Sequence, residues 1–392
     1  MNRILIILTS LLVITYSYAQ KSIESILQEI ESNNTTLIAL QKEIEAQKLG
    51  NKTGIYLPNP EVEFGYLWGN PVEIGNENSF AISQSMDFPT SYGYRKNISN
   101  LENQNLDLFY NSERINILLE AKKVLINLAY FNALSVDYED RVRIAEEISV
   151  SYQKMFEKGE IGALEKNQVY MDLINCINEK EKIDIERNSL QNQLIALNGG
   201  KEILYEVTKI PHYPLPLNFD EWYTETASLS PALKYLNQQI EISKQQVKLN
   251  RALALPKLTA GYADERILGE KLQGITIGIT IPLWENKNSI KQSKADVVSY
   301  KLSLEDNKLK YFNRLQNLYE KSVSLYKNAT KYRQALDSYN SQSLLIKALE
   351  AGEITLLNYL YQLEAYYDSS NNLLEFERDY ALAVAELTAV TL

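Results

Sequence analysis

LPNPEVEFGYLWGNPVEIGNENSFAISQSMDFPTSYG, residues 57–93, is the stretch on which the reading of this chain turns. Val62, Phe64, Tyr66 and Trp68 alternate with Glu61, Glu63 and Gly65. After the polar turn GNPVEIGN, 69–76, Phe80, Ile82, Met86 and Phe88 alternate with Ala81, Ser83, Ser85 and Asp87. A period of two sends alternate side chains to opposite faces of a strand. The stretch therefore predicts a strand pair within 58–89 with one apolar face and one small or charged face. About ten residues per strand is the length a tilted strand needs to cross a bilayer. A half-buried hairpin of a water-soluble protein would alternate in the same way.

The pattern recurs. LPKLTAGY at 255–262 stands over NPEVEFGY at 59–66, ITIGITIPL at 275–283 over FAISQSMDF at 80–88, and LEAGEI at 349–354 over FEKGEI at 156–161. In the second stretch Leu258, Ala260 and Tyr262, then Ile275, Ile277, Ile279 and Ile281, take the apolar positions. DERILGEK, 264–271, reads as the polar turn of this second pair, which falls within 256–283. The offsets of 196, 195 and 193 are close enough to mark an internal duplication. Repeat 1 spans 20–198 and repeat 2 spans 223–392, joined by the proline-rich connector 199–222.

Between the strand pairs the chain is free of breakers. From Tyr94 to Asn198 there is no proline, and the only glycines are Gly159 and Gly162. From Leu283 to Leu392 there is again no proline and one glycine, Gly352. Interior proline costs a helix about 3 kcal/mol and glycine about 1, so each span predicts a long helical hairpin that reverses at 159 or 352. Leu101, Leu108 and Ile115 fall seven apart, as do Leu360, Tyr367, Leu374 and Ala381, and Leu373, Tyr380 and Leu387. Apolar residues at that period want a partner helix along their length. Each long arm exceeds its return arm, and an entering helix before the strands, Ile23–Gly54 in repeat 1 and from about Pro231 to Leu255 in repeat 2, supplies the missing partner.

Residues 1–19, MNRILIILTSLLVITYSYA, read as a secretory signal: Arg3, an apolar run, then small residues at the cleavage point. The formal charge of −10 argues against nucleic acid as a partner. Cys176 is the only cysteine, so no internal disulfide forms, and it reads as a small buried or half-buried hydrophobe. His212 is the only histidine, which excludes a histidine-based triad or a multi-histidine metal site. No motif for a nucleophile, phosphate or cofactor is present, and the chain reads as a non-enzyme without a metal site. Four strands cannot close a barrel, and open edges in hydrocarbon leave backbone groups unpaired at several kcal/mol each. A membrane reading therefore requires several chains to pool strands, and three would give twelve.

The duplicated layout, the pairs NPEVEFGY…FAISQSMDF and LPKLTAGY…GITIGITIPLWENK, and the tips KGEIGALEKNQ and AGEITLLNYLYQLEA together resemble the TolC-like outer-membrane factor family. The modest length resembles its cation-efflux, CzcC-type branch. The likeness covers 22–392. It implies a mainly α fold with a small β part: long helical hairpins forming a periplasmic helical barrel and four membrane strands per chain, assembled as a homotrimer into a twelve-strand barrel in the outer membrane of a Gram-negative bacterium. It implies the exit duct of a tripartite efflux pump for metal cations or small toxic compounds. The partners would be a periplasmic adaptor (membrane-fusion protein), an inner-membrane transporter of the RND type, and outer-membrane lipid.

By the same resemblance the adaptor meets the hairpin tips, here Gly159, Glu160, Ile161 and Leu164, and Gly352, Glu353, Ile354 and Leu357. Val62, Phe64, Tyr66, Phe80, Ile82, Met86, Ile275, Ile277, Ile279 and Ile281 would face lipid. Relatives place aspartates six and nine residues after the second tip glycine; Asn358 and Tyr361 stand there, so a duct constriction would rest on Asn358, Tyr361 and Glu364. The rival reading is a secreted coiled-coil scaffold or adhesion protein in which the strand pairs are small caps.

Overall fold

The computed structural model describes residues 22–338 and 342–392. The segment read as a secretory signal, 1–19, lies outside the described residues. The expected fold class is the one found: long helices with one small antiparallel sheet.

The elements follow in the order α1 (Ile23–Asn33), α2 (Thr35–Gly50), β1 (Glu61–Leu67), β2 (Glu77–Met86), α3 (Thr90–Glu157) and α4 (Ala163–Leu197). Repeat 2 continues with α5 (Phe219–Leu229), α6 (Pro231–Leu253), β3 (Lys257–Ile267), β4 (Glu270–Thr280), α7 (Ser289–Ser338), α8 (Gln342–Glu350) and α9 (Leu356–Leu387). The proline-free span sustains α3 for 68 residues.

Two expectations need correction. The entering helix of repeat 1 is not continuous over Ile23–Gly54: it breaks at Asn34, whose side chain accepts the Leu37 N–H at 3.0 Å and starts α2 afresh. The entering helix of repeat 2, expected from about Pro231 to Leu255, is found as α6, with Ser230 as the cap and Pro231 at the first helical position; α5, which starts in the connector, precedes it. A side-chain acceptor at the cap satisfies one of the orphan N–H groups of the new helix. Ser230 stands 196 positions after Asn34, the offset of the duplication itself.

The second correction concerns the turns. DERILGEK is not a polar loop: β3 runs to Ile267, β4 starts at Glu270, and only Leu268 (φ 49°) and Gly269 (φ 89°) reverse the chain. Two successive left-handed residues make the tight turn whose twist suits a hairpin. In repeat 1, β1 is seven residues long, shorter than the expected ten, since Pro58 and Pro60 cannot donate to a ladder. Ile281 lies one residue beyond β4.

The chain divides into two compact units that cut across the repeats. One comprises the described residues up to Ser32 together with Val124–Pro211. Its core gathers Ile26 and Ile30 of α1, Leu125, Ile126 and Leu128 of α3, Leu194 of α4, and Ile203 and Tyr205 of the connector. Burial pushes the Tyr205 phenol up to about 12. Asn132 donates to the Tyr205 and Val207 carbonyls at 3.1 Å each and accepts from Arg187 Nε at 2.9 Å. Arg187 and Lys180 in turn hold Asp184. Burial alone would push that carboxyl up, but hydrogen bonds from Lys180, Arg187 and Ser135 outweigh it and hold it below the ordinary range. Cys176 is half-buried, and burial pushes its thiol up, in keeping with a packing role.

The other unit comprises Asn33–Lys123 and His212–Leu392. Leu315, Ser322 and Ala329, seven apart on α7, are buried, as are Ala381, Val384 and Ala385 on α9. Small residues at the contact let two helices approach closely. Phe219 and Tyr223 of α5 pack on Phe312 of α7 with ring centroids 5.6 and 4.9 Å apart. The ring of His212 stacks on Tyr380 at 5.4 Å and touches Tyr326, while Tyr380 Oη donates to the Tyr213 carbonyl at 2.6 Å.

Candidate sites: the sheet face and the hairpin tips

The four strands form one sheet in the order β1-β2-β3-β4, so the hairpins of the two repeats lie side by side through β2 and β3. Register fixes the faces. Val62 pairs with Ile82, Ile82 with Tyr262, and Tyr262 with Ile275. One step along, Phe64 pairs with Phe80, and on the other side Met86 pairs with Leu258 and Leu258 with Ile279. Directly opposed residues point the same way, so the apolar positions of all four strands share one face. Ile275, Ile277 and Ile279 are 82, 81 and 63% exposed, and Phe64 is 78% exposed. Among the described residues nothing covers this face at those positions, which is the reverse of what a soluble hairpin does with its isoleucines. Phe80 and Met86 are half-buried by their neighbours on the same face.

The opposite face carries Glu63, Ala81, Ala263 and Gly274 in one row and Glu61, Ser83, Gly261 and Thr276 in the next. Smallness is required at Gly261, where a Cβ would stand 2.7 Å from the Ile82 carbonyl oxygen and 2.8 Å from Thr276 Oγ1. The aromatic residues Tyr66 and Trp68, 5.4 Å apart, flank the apolar rows near the turns, and Trp284 stands exposed beyond β4 at the other end. No described helix is long and apolar enough to cross a membrane, a statement that says nothing of strands.

The tips are built alike, each described within its own unit. After α3, Gly159 (φ 76°) donates to the Phe156 carbonyl and Glu160 to the Met155 carbonyl, both at 2.9 Å. After α8, Gly352 (φ 70°) donates to the Leu349 carbonyl at 3.0 Å and Glu353 to the Ala348 carbonyl at 2.9 Å. This is the glycine-terminated helix end, in which a left-handed residue satisfies the last carbonyls. The return helices start differently. Glu165 Oε2 accepts the Gly162 N–H at 3.0 Å, whereas Thr355 Oγ1 accepts the Asn358 N–H at 3.3 Å. Leu164 and Leu357 project outward, 85 and 75% exposed, and Ile161 and Ile354 are half-buried beside them.

Asn358, Tyr361 and Glu364 are all exposed on α9, with Tyr361 at 73%. Tyr359 among them points the other way. It is fully buried, burial pushes its phenol up, and its hydroxyl has no hydrogen-bond partner among the described residues. The sequence reading missed this residue, since tyrosine is frequent along these helices and only its position inside the stripe Tyr359, Leu363 marks it.

The geometry thus defines a protein class: a helical-hairpin chain with an apolar sheet face that the described residues leave uncovered. The model of the outer membrane efflux protein family matches residues 222–391, which is repeat 2 and one residue of the connector. The alkaline protease secretion protein AprF of Pseudomonas aeruginosa is 22% identical over 185 residues, which span 44% of this chain but only 38% of AprF. The Campylobacter jejuni CmeC outer membrane channel superposes with a TM-score of 0.78 at 14% identity, covering 95% of this chain and 85% of that one. A membrane protein of Pseudomonas aeruginosa superposes with a TM-score of 0.77 at 15% identity, covering 94% and 92%. Residues 222–391 therefore carry the sequence pattern of an outer membrane efflux protein, and the chain carries the fold of the outer-membrane channels it superposes on.

Proposed function

We propose that the whole chain is an outer membrane efflux protein: the outer-membrane component of a tripartite export system, and a passive exit duct rather than an enzyme. The observation that carries this reading is a sheet with one exposed apolar face and two open edges, β1 and β4. Unpaired edges in hydrocarbon cost several kcal/mol per group, so such a sheet is stable in a bilayer only as part of a closed ring. An even number of antiparallel strands lets β4 of one copy meet β1 of the next antiparallel, and the ring closes by repetition. Three copies supply twelve strands, within the range of membrane barrels.

In this reading each repeat, 20–198 and 223–392, gives two staves to the barrel, and the helices continue it into the periplasm. The signal in 1–19 directs export. The exposed Leu164 and Leu357, with Ile161 and Ile354, anchor a periplasmic adaptor at glycine-terminated tips, and the adaptor joins an inner-membrane transporter, here assigned to the RND type. Tyr361, with Asn358 and Glu364, narrows the duct in the trimer. Metal cations or small toxic compounds are the proposed cargo. The match to AprF, whose name includes protease secretion, favours polypeptide cargo as the second reading.

The test is conductance of the full-length chain in planar bilayers. The expected result is a discrete pore that widens in Tyr361→Ala. A non-conducting, water-soluble product would instead support the secreted scaffold.

A further inference from the structure

The apolar face of the sheet does not end at its turns; it changes character. One row beyond Tyr262 and Ile275, Phe80 pairs with Asp264 and Asp264 with Gln273, and in the row after that Asn78 pairs with Arg266 and Arg266 with Lys271. All of these share the face of the isoleucines. Arg266 and Lys271 are the only basic residues on that face of the four strands. They stand about 13 Å along the strands from the Tyr262 row, at 3.3 Å per residue.

Their geometry is specific. Asp264, with a side chain 12% exposed, is clasped by both: Arg266 Nε donates to Oδ1 at 3.0 Å and Lys271 Nζ lies 2.7 Å from Oδ2. Because Arg266 is held through Nε, its two terminal Nη groups make no hydrogen bond to the described protein, and its side chain remains 62% exposed. A guanidinium held through Nε with both Nη groups free can present the fork that matches two oxygens of a phosphate. Lys271 spends one donor on Asp264 and keeps 45% of its side chain exposed. Two cations directly opposite one another repel. A single carboxylate compensates one of them, which leaves one net positive charge per chain.

The opposite face at the same level is of the other sign, with Glu77, Glu265 and Glu270. Net charge thus changes sign across one sheet thickness: positive on the isoleucine face, where Asp264 offsets one of two cations, and negative on the other. A charge on the outer face of a barrel is expensive at the bilayer midplane and nearly free at the interface, so this row sits at headgroup level.

We propose that Arg266 and Lys271 form an outward-facing site for a phosphate of an anionic lipid in the leaflet that the hairpin turns reach, one site per chain. The inference rests on the reading of the sheet as a barrel wall. Asp264 is a positioning residue that holds the two cations side by side.

The test uses the full-length assembly, extracted in mild detergent and stripped of lipid. It is incubated with diphosphorylated lipid A, with the same lipid lacking phosphates, and with the phosphorylated lipid plus inorganic phosphate; retained lipid is counted by native mass spectrometry. The expected result is a preference for the phosphorylated lipid that falls about fivefold for each cation removed in Arg266→Gln and Lys271→Gln. Lys310→Gln on α7 should leave it unchanged, and equimolar inorganic phosphate should not compete. Equal retention of both lipids, or a preference unaltered in the double variant, would overturn the proposal. Competition by inorganic phosphate would reassign the site to a free anion and overturn the lipid. An assembly that inserts and conducts yet shows no preference loses only this inference, whereas a chain that never enters the membrane loses the channel reading itself.

Discussion

The sheet and the helices treat the same kind of residue in opposite ways. On α7 and α9, Leu315, Ala381 and Val384 are at most 1% exposed, while Ile275 and Ile277 of β4 are above 80%. Both sets are periodic, at seven and at two, and both are apolar. The helices find partners within the chain and the strands do not. These helix positions are satisfied by packing within the chain, whereas the sheet face is left uncovered by the described residues, and in the proposed reading lipid and further copies of the chain complete it.

The sharpest way to break that contrast is to place a charge on each side of the sheet. Ile277→Lys should cost about 2–4 kcal/mol of membrane stability, the penalty for lysine at mid-bilayer. Thr276→Lys on the opposite face should leave insertion intact. The amount of folded protein in outer-membrane fractions reads both, and equal tolerance would mean that the isoleucine face does not meet lipid.

A smaller effect is expected where the helices reverse. Gly352 has open space around it but a φ of 70°, so Gly352→Val meets backbone strain rather than a clash. The cost is about 1–2 kcal/mol. Gly93, inside α3 with nothing within 4 Å and no left-handed φ, should gain up to about 1 kcal/mol on substitution by alanine. Thermal unfolding of the detergent-solubilised assembly distinguishes the two signs.

Tyr359 sharpens the helical side of the comparison, since it is a fully buried side chain beside a tip whose hydroxyl has no partner among the described residues. Tyr359→Phe removes an unsatisfied polar group and should stabilise by about 1 kcal/mol. A loss of stability would show that the hydroxyl is bonded in the assembly.

The smallest effect is in acid. The Asp184 carboxyl is held below its ordinary value of 3.8. Its contribution is therefore fully present above that value and is lost as pH falls through the lower, folded pKa. With a side chain 33% exposed, the contribution is a few tenths of a kcal/mol. Asp184→Asn should flatten the acid limb of the melting temperature below about pH 4 and leave pH 7 nearly unchanged.

Much of this architecture could be read before any coordinates. The proline-free spans marked α3, α4, α7 and α9, the lone glycines marked both reversals, and the alternation assigned the sheet faces. What escaped had physical reasons. The break at Asn34 depends on a side-chain cap that interrupts an otherwise helical pattern, so periodicity runs through it unnoticed. DERILGEK looked like a turn because it is polar, yet its charges lie on strands, where Arg266 and Lys271 pair across a ladder. The pairing of β2 with β3 is a long-range contact that no local pattern encodes. The burial of Tyr359 depends on the angular position of one tyrosine among several on α9.

The central claim is that several copies of this chain close one barrel in the outer membrane. It is tested most directly by the protein mass of the particle extracted from outer membranes in mild detergent, corrected for bound detergent. The account predicts membrane-embedded material at three times the mass of the mature chain. A soluble monomer or dimer recovered without detergent would contradict it.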